Sequence, residues 1–280
     1  MFIYRRVVST VYIDVHNPHK TLLIQGGVEM SVRQEKRYST GLQDLDRMLE
    51  GGLFLGENVV WEAESGTFAR EFMDAFIKQG IVDGSCVIYL DFIYPPQAVL
   101  FHFQPLIRQL PNGWENRLLV LDCFSDAGGQ GELVFNDFYD QAPPWIRKVP
   151  SSRDPERFHH FFGRIEREFV TLGTRLVFYS LSMMEQIWGQ DAVNAFFSHV
   201  CPALYAYETL AYWLLMKHAH PPDFIARIEH TTQVVVDLSR AQNRTYLSVK
   251  KGGRRYSPSA YKEREYMARG SEILFKKRTP

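Results

Sequence analysis

Apolar and polar positions along the chain repeat with two periods, and the two alternate. Residues 2–15 alternate in and out, as a strand does. Thr21 to Gln25 can pair with them across the turn Asn17-Pro18-His19, so residues 1–36 read as an N-terminal hairpin or arm. The body of the chain, 37–280, opens on a short helix with Leu42, Leu45, Met48 and Leu49 on one face. Ser39 or Thr40 starts that helix and Gly51-Gly52 ends it. A strand at 59–61 then leads to a helix over 69–79, with Phe72, Ala75, Phe76 and Gly80 at helical spacing. Strands follow at 86–92, 117–124, 174–182 and 210–217. Helices are predicted over 97–110, from an Asp154 cap to Leu172, and over 190–205. Segments 232–238 and 244–250 form a hairpin, 261–269 is a helix or an extended element, and 272–275 is a last strand. Strands and helices in this order predict an α/β fold, with a mostly parallel sheet, helices on both faces and a C-terminal β-hairpin. One stretch breaks the rhythm. Residues 125–150 carry Gly128-Gly129, Pro143-Pro144 and the aromatics Phe135, Phe138, Tyr139 and Trp145, and read as a long loop whose rings tuck onto the domain.

Composition changes this picture little. Of the 280 residues 45% are hydrophobic and 23% charged, which suits an ordinary packed core. The formal charge of zero favours neither a nucleic-acid nor a membrane partner. Charge is uneven, however: residues 240–278 hold 12 Lys/Arg against 3 Asp/Glu, so the C-terminal end is basic and the remainder acidic. Cys86, Cys123 and Cys201 are far apart in apolar surroundings, as expected of reduced thiols in a cytoplasmic protein. No apolar run approaches the ~18 residues of a membrane span, and no secretory signal is evident. No metal site is expected. His159 and His160 are neighbours pointing about 100° apart on a helix, and His218-Ala219-His220 has no third ligand beside it.

Candidate chemistry gathers after the first core strand, in Glu62-Ala63-Glu64-Ser65-Gly66-Thr67-Phe68-Ala69-Arg70. Strand, turn and helix start are the setting of a phosphate-binding loop, whose pattern is G-x-x-x-x-G-K-[ST]. Its glycines let backbone N–H groups curl around phosphate, its Lys neutralises charge, and its hydroxyl ligates Mg²⁺. Laid on residues 62–69, the pattern meets Glu62 for the first Gly and Thr67 for the second. Phe68 then replaces the Lys, and Ala69 replaces the hydroxyl.

The run Ser39 to Gly56, S-T-G-L-x-x-L-D-x-x-L-x-G-G-L-x-x-G, followed by a strand and this loop, resembles the RecA superfamily. The similarity is to its KaiC-like and archaeal recombinase-like branch. The resemblance implies a nucleotide strand ending in Asp-Ser, but here Tyr179 stands for the Asp, with Ser180 retained. It implies a Glu after the 86–92 strand to activate water, and Ile93-Tyr94-Pro95-Pro96 follows instead, with Asp91 a poor substitute. It also implies a K-x-R pair reaching a neighbouring subunit's nucleotide. Lys250 is kept, Gly252 replaces the Arg, and Arg254 and Arg255 lie nearby.

Degenerate motifs on successive strands predict a chain without ATPase activity, cofactor or bound metal, with weak ATP binding left open. The expected role is an assembly or regulatory subunit, in a homo-oligomer or with an active RecA/KaiC-like paralogue. Two alternatives stand beside it: atypical nucleotide binding through a rebuilt loop at 62–70 with Arg70 lending charge, and nucleic-acid binding through the basic segment 240–278.

Overall fold

The computed structural model describes residues 36–127, 135, 137–252, 256–270 and 272–276. The expected hairpin over the first 35 residues, and Arg254 and Arg255, lie outside the described residues.

A ten-stranded sheet carries the fold. Its parallel part is built from β3 (Asn58–Ala63), β4 (Val87–Asp91), β5 (Leu118–Asp122), β6 (Ile146–Lys148), β7 (Arg175–Tyr179), β8 (Leu210–Met216) and β9 (Val234–Ala241). Three antiparallel strands extend it: β10 (Arg244–Lys251), β11 (Arg264–Arg269) and β12 (Glu272–Phe275). Strand order is β12-β11-β10-β9-β3-β8-β7-β4-β5-β6, which puts β3 in the interior between β8 and β9. β1 (Arg37–Tyr38) and β2 (Leu53–Phe54) form a separate antiparallel pair.

Both faces of the parallel strands are buried, so each strand reads as a near-continuous apolar run. One face, with Trp61, Tyr89 and Tyr212, is covered by α1 (Gln43–Met48), α2 (Ala69–Val82) and α3 (Pro96–Ile107). The other, with Val60, Phe178 and Trp213, is covered by α4 (Pro155–Phe169), α5 (Leu181–Trp188), α6 (Gln190–Ala206) and α7 (Pro222–Thr231). Flat ring stacks seal each layer: Phe76 on Tyr212 at 3.7 Å, and Phe178 on Trp213 at 3.6 Å.

Some expectations need correction. Neither Ser39 nor Thr40 caps α1. Both instead donate to Asp46 inside the helix, from Ser39 Oγ at 2.5 Å and from Thr40 N and Oγ1 at 2.7 Å each, and Leu42 holds the cap position with no side-chain bond. The 174–182 strand stops at Tyr179, where Ser180 accepts from Met183 N–H and opens α5. Of the two readings of 261–269, the extended one holds, over 264–269 as β11. In the 125–150 region the rings do tuck inward: Trp145 is buried against Trp114, and Tyr139 O–H donates to Asp122.

Candidate functional site

β3 delivers its loop to the carboxyl edge of the sheet, where open α/β sheets place their ligands. The loop is closed by Glu64 N–H on Leu238 O at 3.0 Å, and by Thr67, which donates to Glu64 O from Oγ1 at 2.7 Å. Two loop residues have positive φ: Gly66 at +79° and Phe68 at +57°, the latter directly before α2. Glycine belongs where φ is positive, so the backbone puts the pattern's second glycine at Phe68, not Thr67. On that criterion alone the pattern would sit one residue later than its placement by sequence, with Ala63 at the first Gly, Ala69 at the Lys and Arg70 at the metal-binding hydroxyl. Glu62 and Ala63 are both strand residues, in register with Leu215 and Asp237 and with Met216 and Leu238.

The shift gives Arg70 a new meaning. Its guanidinium lies over the Tyr94 ring at 4.5 Å and the Tyr179 ring at 4.9 Å, and Nη2 is 3.7 Å from Asp91 Oδ2. Asp91 is fully buried. It accepts from Ile93 N–H at 2.8 Å, Tyr94 N–H at 2.9 Å and Tyr89 O–H at 3.0 Å, and burial pushes its carboxyl up to about 6. Burial also moves the Tyr179 phenol up to about 12, so it offers no anionic oxygen near neutrality. The ends of β4 and β7 and the start of α2 thus converge on a side-chain cation.

The remaining carboxylates are engaged as well. Glu64 accepts from Arg240 N–H at 2.9 Å and faces Lys217 at 3.4 Å and His218 at 3.7 Å; the Arg240 bond leads in holding its carboxyl below the usual range. Buried Glu62 meets Lys250 Nζ at 2.7 Å, and Lys250 reaches Glu229 at 2.7 Å on its other side. Burial pushes the Glu62 carboxyl up to about 7. Lys250, expected to face a neighbour, is exposed and bonded within the chain to these two carboxylates. Ser65 and Gly66 form the loop's exposed turn, and Ser180 caps α5. The two histidines of 218–220 diverge: His218 is exposed, while the buried His220 ring bonds Ser182 Oγ at 2.7 Å. Among the described residues no group of three or more His, Cys, Asp or Glu could hold a metal ion.

Sequence reasoning singled out Tyr179 and Arg70 separately but missed their meeting; it met Tyr94 only as part of the stretch standing for the Glu, and missed Tyr89. The only available signal was the common edge that the α/β order gives to the ends of β4 and β7.

Comparison with solved structures finds the KaiC-like protein PH0186 from the hyperthermophilic archaeon Pyrococcus horikoshii OT3. The TM-score is 0.56 at 15% identity, over 86% of this chain and 99% of that one. The fold is RecA-like. A family model described as PAXNEB protein matches residues 22–112, about a third of the chain, which takes in the Ser39–Gly56 run, β3, the loop and β4. No curated protein matches. Among the described residues no helix is long and apolar enough to cross a membrane.

Proposed function

We propose that this chain is a catalytically inactive RecA/KaiC-like subunit that acts by assembly, with copies of itself or with an active relative. The observation that carries the reading is the Arg70 cluster. Phosphoryl transfer needs a metal held at the loop, a charge on the phosphates and a group that orients the attacking water. Here a guanidinium stacked on Tyr94 and Tyr179 fills the place of the metal, Ala69 offers no charge, and Asp91 is buried with its oxygens bonded. A RecA-like scaffold kept without this equipment retains its shape, and shape serves assembly. In a heteromer, Lys250 would leave Glu62 and Glu229 to reach a partner's nucleotide.

Phosphate release measured with ATP and Mg²⁺, beside calorimetric titration and mass determination in solution, tests this. The expected result is no release above buffer and an oligomer, alone or after mixing with a partner. Mg²⁺-dependent turnover would overturn inactivity, and a strict monomer with no stable partner would overturn assembly. Micromolar ATP binding without turnover would favour the rebuilt-loop alternative.

A further inference from the structure

Lys250 sits where its strand departs from regular pairing. β10 pairs with β9 residue for residue as far as Val249 opposite Val236, but it is Lys251, not Lys250, that faces Val235. Lys250 is thus the extra residue of a β-bulge, a device that re-aims a side chain. From the bulge its ammonium crosses β9 and meets Glu62 on β3 and Glu229 on α7, at 2.7 Å from each. Of the three groups the two carboxylates are rooted. Glu62 belongs to an interior strand and its side chain is 4% exposed, against 43% for Lys250. Glu229 is kept in place by the next residue, since Lys251 Nζ donates to the carbonyls of Glu229 and His230. Lys250 can therefore swing into solvent without unpacking the core, and it leaves two carboxylates facing one another.

Two carboxylates that share one ammonium lie close enough to repel strongly once it has gone. The other groups beside Glu62 do not relieve them. Asp237, in register on β9, is itself acidic and is paired with Lys217 at 2.8 Å; Leu215, in register on β8, is apolar; and Lys251 is engaged by its two carbonyls. One carboxyl must then take a proton. Glu62 is the one, because it is the more buried and, among the described residues, its Oε1 has no hydrogen-bond partner. Burial already holds it near 7 with Lys250 in place. We infer that Glu62 and Glu229 form a proton-operated latch on Lys250, which frees the lysine as Glu62 is protonated and recaptures it as the proton leaves. This regulation rests on the proposed role of Lys250 toward a partner's nucleotide and adds what governs its release. Above about 7 the closed latch holds Glu62 charged and the open one holds it neutral, so opening takes up a proton and becomes up to about tenfold rarer per pH unit. Below that, both states carry the proton and the dependence fades. The freed lysine keeps its charge throughout, its ordinary value being about 10.4.

Amine acetylation of the full-length protein, read by mass spectrometry as the ratio of Lys250 to the exposed Lys262, tests the latch. The ratio follows the open fraction, because a bonded ammonium does not react and the reference lysine cancels the pH dependence of the reagent. It is expected to fall at least about fivefold from pH 7 to pH 9 in the native chain, and to be higher and level with pH in Glu62→Gln. Lys250→Met changes an exposed residue and mimics the open latch. In that variant the Glu62 carboxyl, followed by carbon-13 NMR, should titrate about one pH unit higher than in the native chain, or more. A ratio that does not move with pH, a ratio unchanged in Glu62→Gln, or a Glu62 midpoint no higher in Lys250→Met overturns the latch. None of these readouts involves ATP or an oligomer, so such a result leaves inactivity and assembly standing. Turnover of ATP or a strict monomer would instead remove the proposed role and leave these readouts unchanged.

Discussion

Arg70 and Asp91 show how one side chain can redefine a site. A buried carboxyl whose folded value lies near 6 binds protons more readily in the folded than in the unfolded chain, where the usual value is 3.8. The sign follows: between about pH 4 and 6 the folded state holds the extra proton, so this group's contribution to stability falls as pH rises. At about 1.4 kcal/mol for each unit, the cost approaches 3 kcal/mol above pH 6. Asp91→Asn keeps an acceptor for Ile93 and Tyr94 and removes the charge. The difference in unfolding free energy between the Asp91→Asn variant and the native chain should therefore drift by that order between pH 4 and 6 and stay flat above. A difference that does not change with pH would refute the linkage. At this scale the sequence was half legible. The absence of Lys and of the Asp at 179 could be seen directly, because residue identity suffices. The register of the loop could not, because it depends on the φ of Phe68. A phenylalanine in the left-handed region costs roughly 1–2 kcal/mol and is held there by its surroundings. Tyr266 O–H on Thr67 O at 2.5 Å is one such contact.

Elements were legible in proportion to their apolar content. Strands β3, β4, β7 and β8 are largely hydrophobic runs, β8 without a break, and the sequence places them within two or three residues. α7 was missed because only Phe224 and Ile228 of its ten residues are buried, too few to show a period. The Ser39–Gly56 run has a physical explanation. Gly41, at φ +88°, lies against α2 so closely that a Cβ would come within 2.2 Å of Ala75 O, and Gly52 stands in the same relation to Tyr38 O. Arg175 locks the assembly from within the sheet, donating to Ser39 O at 2.8 Å and Phe76 O at 3.2 Å and pairing with Asp83 at 2.7 Å. Two glycines with like φ but unlike surroundings separate steric cost from conformational cost. Gly113 has φ +81° with nothing within 4 Å of its would-be Cβ. Gly113→Ala should cost about 1 kcal/mol, from φ alone. Gly41→Ala should cost several times more, on the scale of core overpacking. Denaturant melts of both variants check this, and equal losses would refute it.

Across the whole molecule, the order of strands was the least legible property. Alternation predicts a parallel sheet, but nothing in the local pattern says that β3 lies between β8 and β9. The basic C-terminal segment also looks different once folded. Lys250 pairs with Glu62 and Glu229, Arg244 and Lys276 with Glu265, and Lys251 donates to the carbonyls of Glu229 and His230. Of these groups Lys250 alone meets carboxylates from outside the segment, Glu265 being one of its own three acidic residues. The same segment closes the structure: Tyr256 O–H bonds Glu57 at 2.6 Å, and Tyr266 packs edge-on against Phe72 at 5.2 Å while holding Thr67. A chain cut after residue 252 loses all three contacts together with β11 and β12. It is expected to melt at least ~10 °C lower than the intact protein, by the scale of several kcal/mol for a domain of this size. An unchanged melt would mean that the last strands are an appendage.

The central position of β3 has a consequence for how the protein is made. Its two sheet neighbours, β8 and β9, begin at residues 210 and 234, and Tyr266 reaches Thr67 from 199 positions away. On the ribosome, therefore, the strand that will stand at the middle of the sheet emerges early and waits unpaired through most of translation. Loop closures this long are slow, and an unmated apolar strand is prone to stick to others. Nascent chains halted between β7 and β8 should be the species most dependent on chaperones, and the protein should recover better from slow synthesis in the cold than from rapid overproduction.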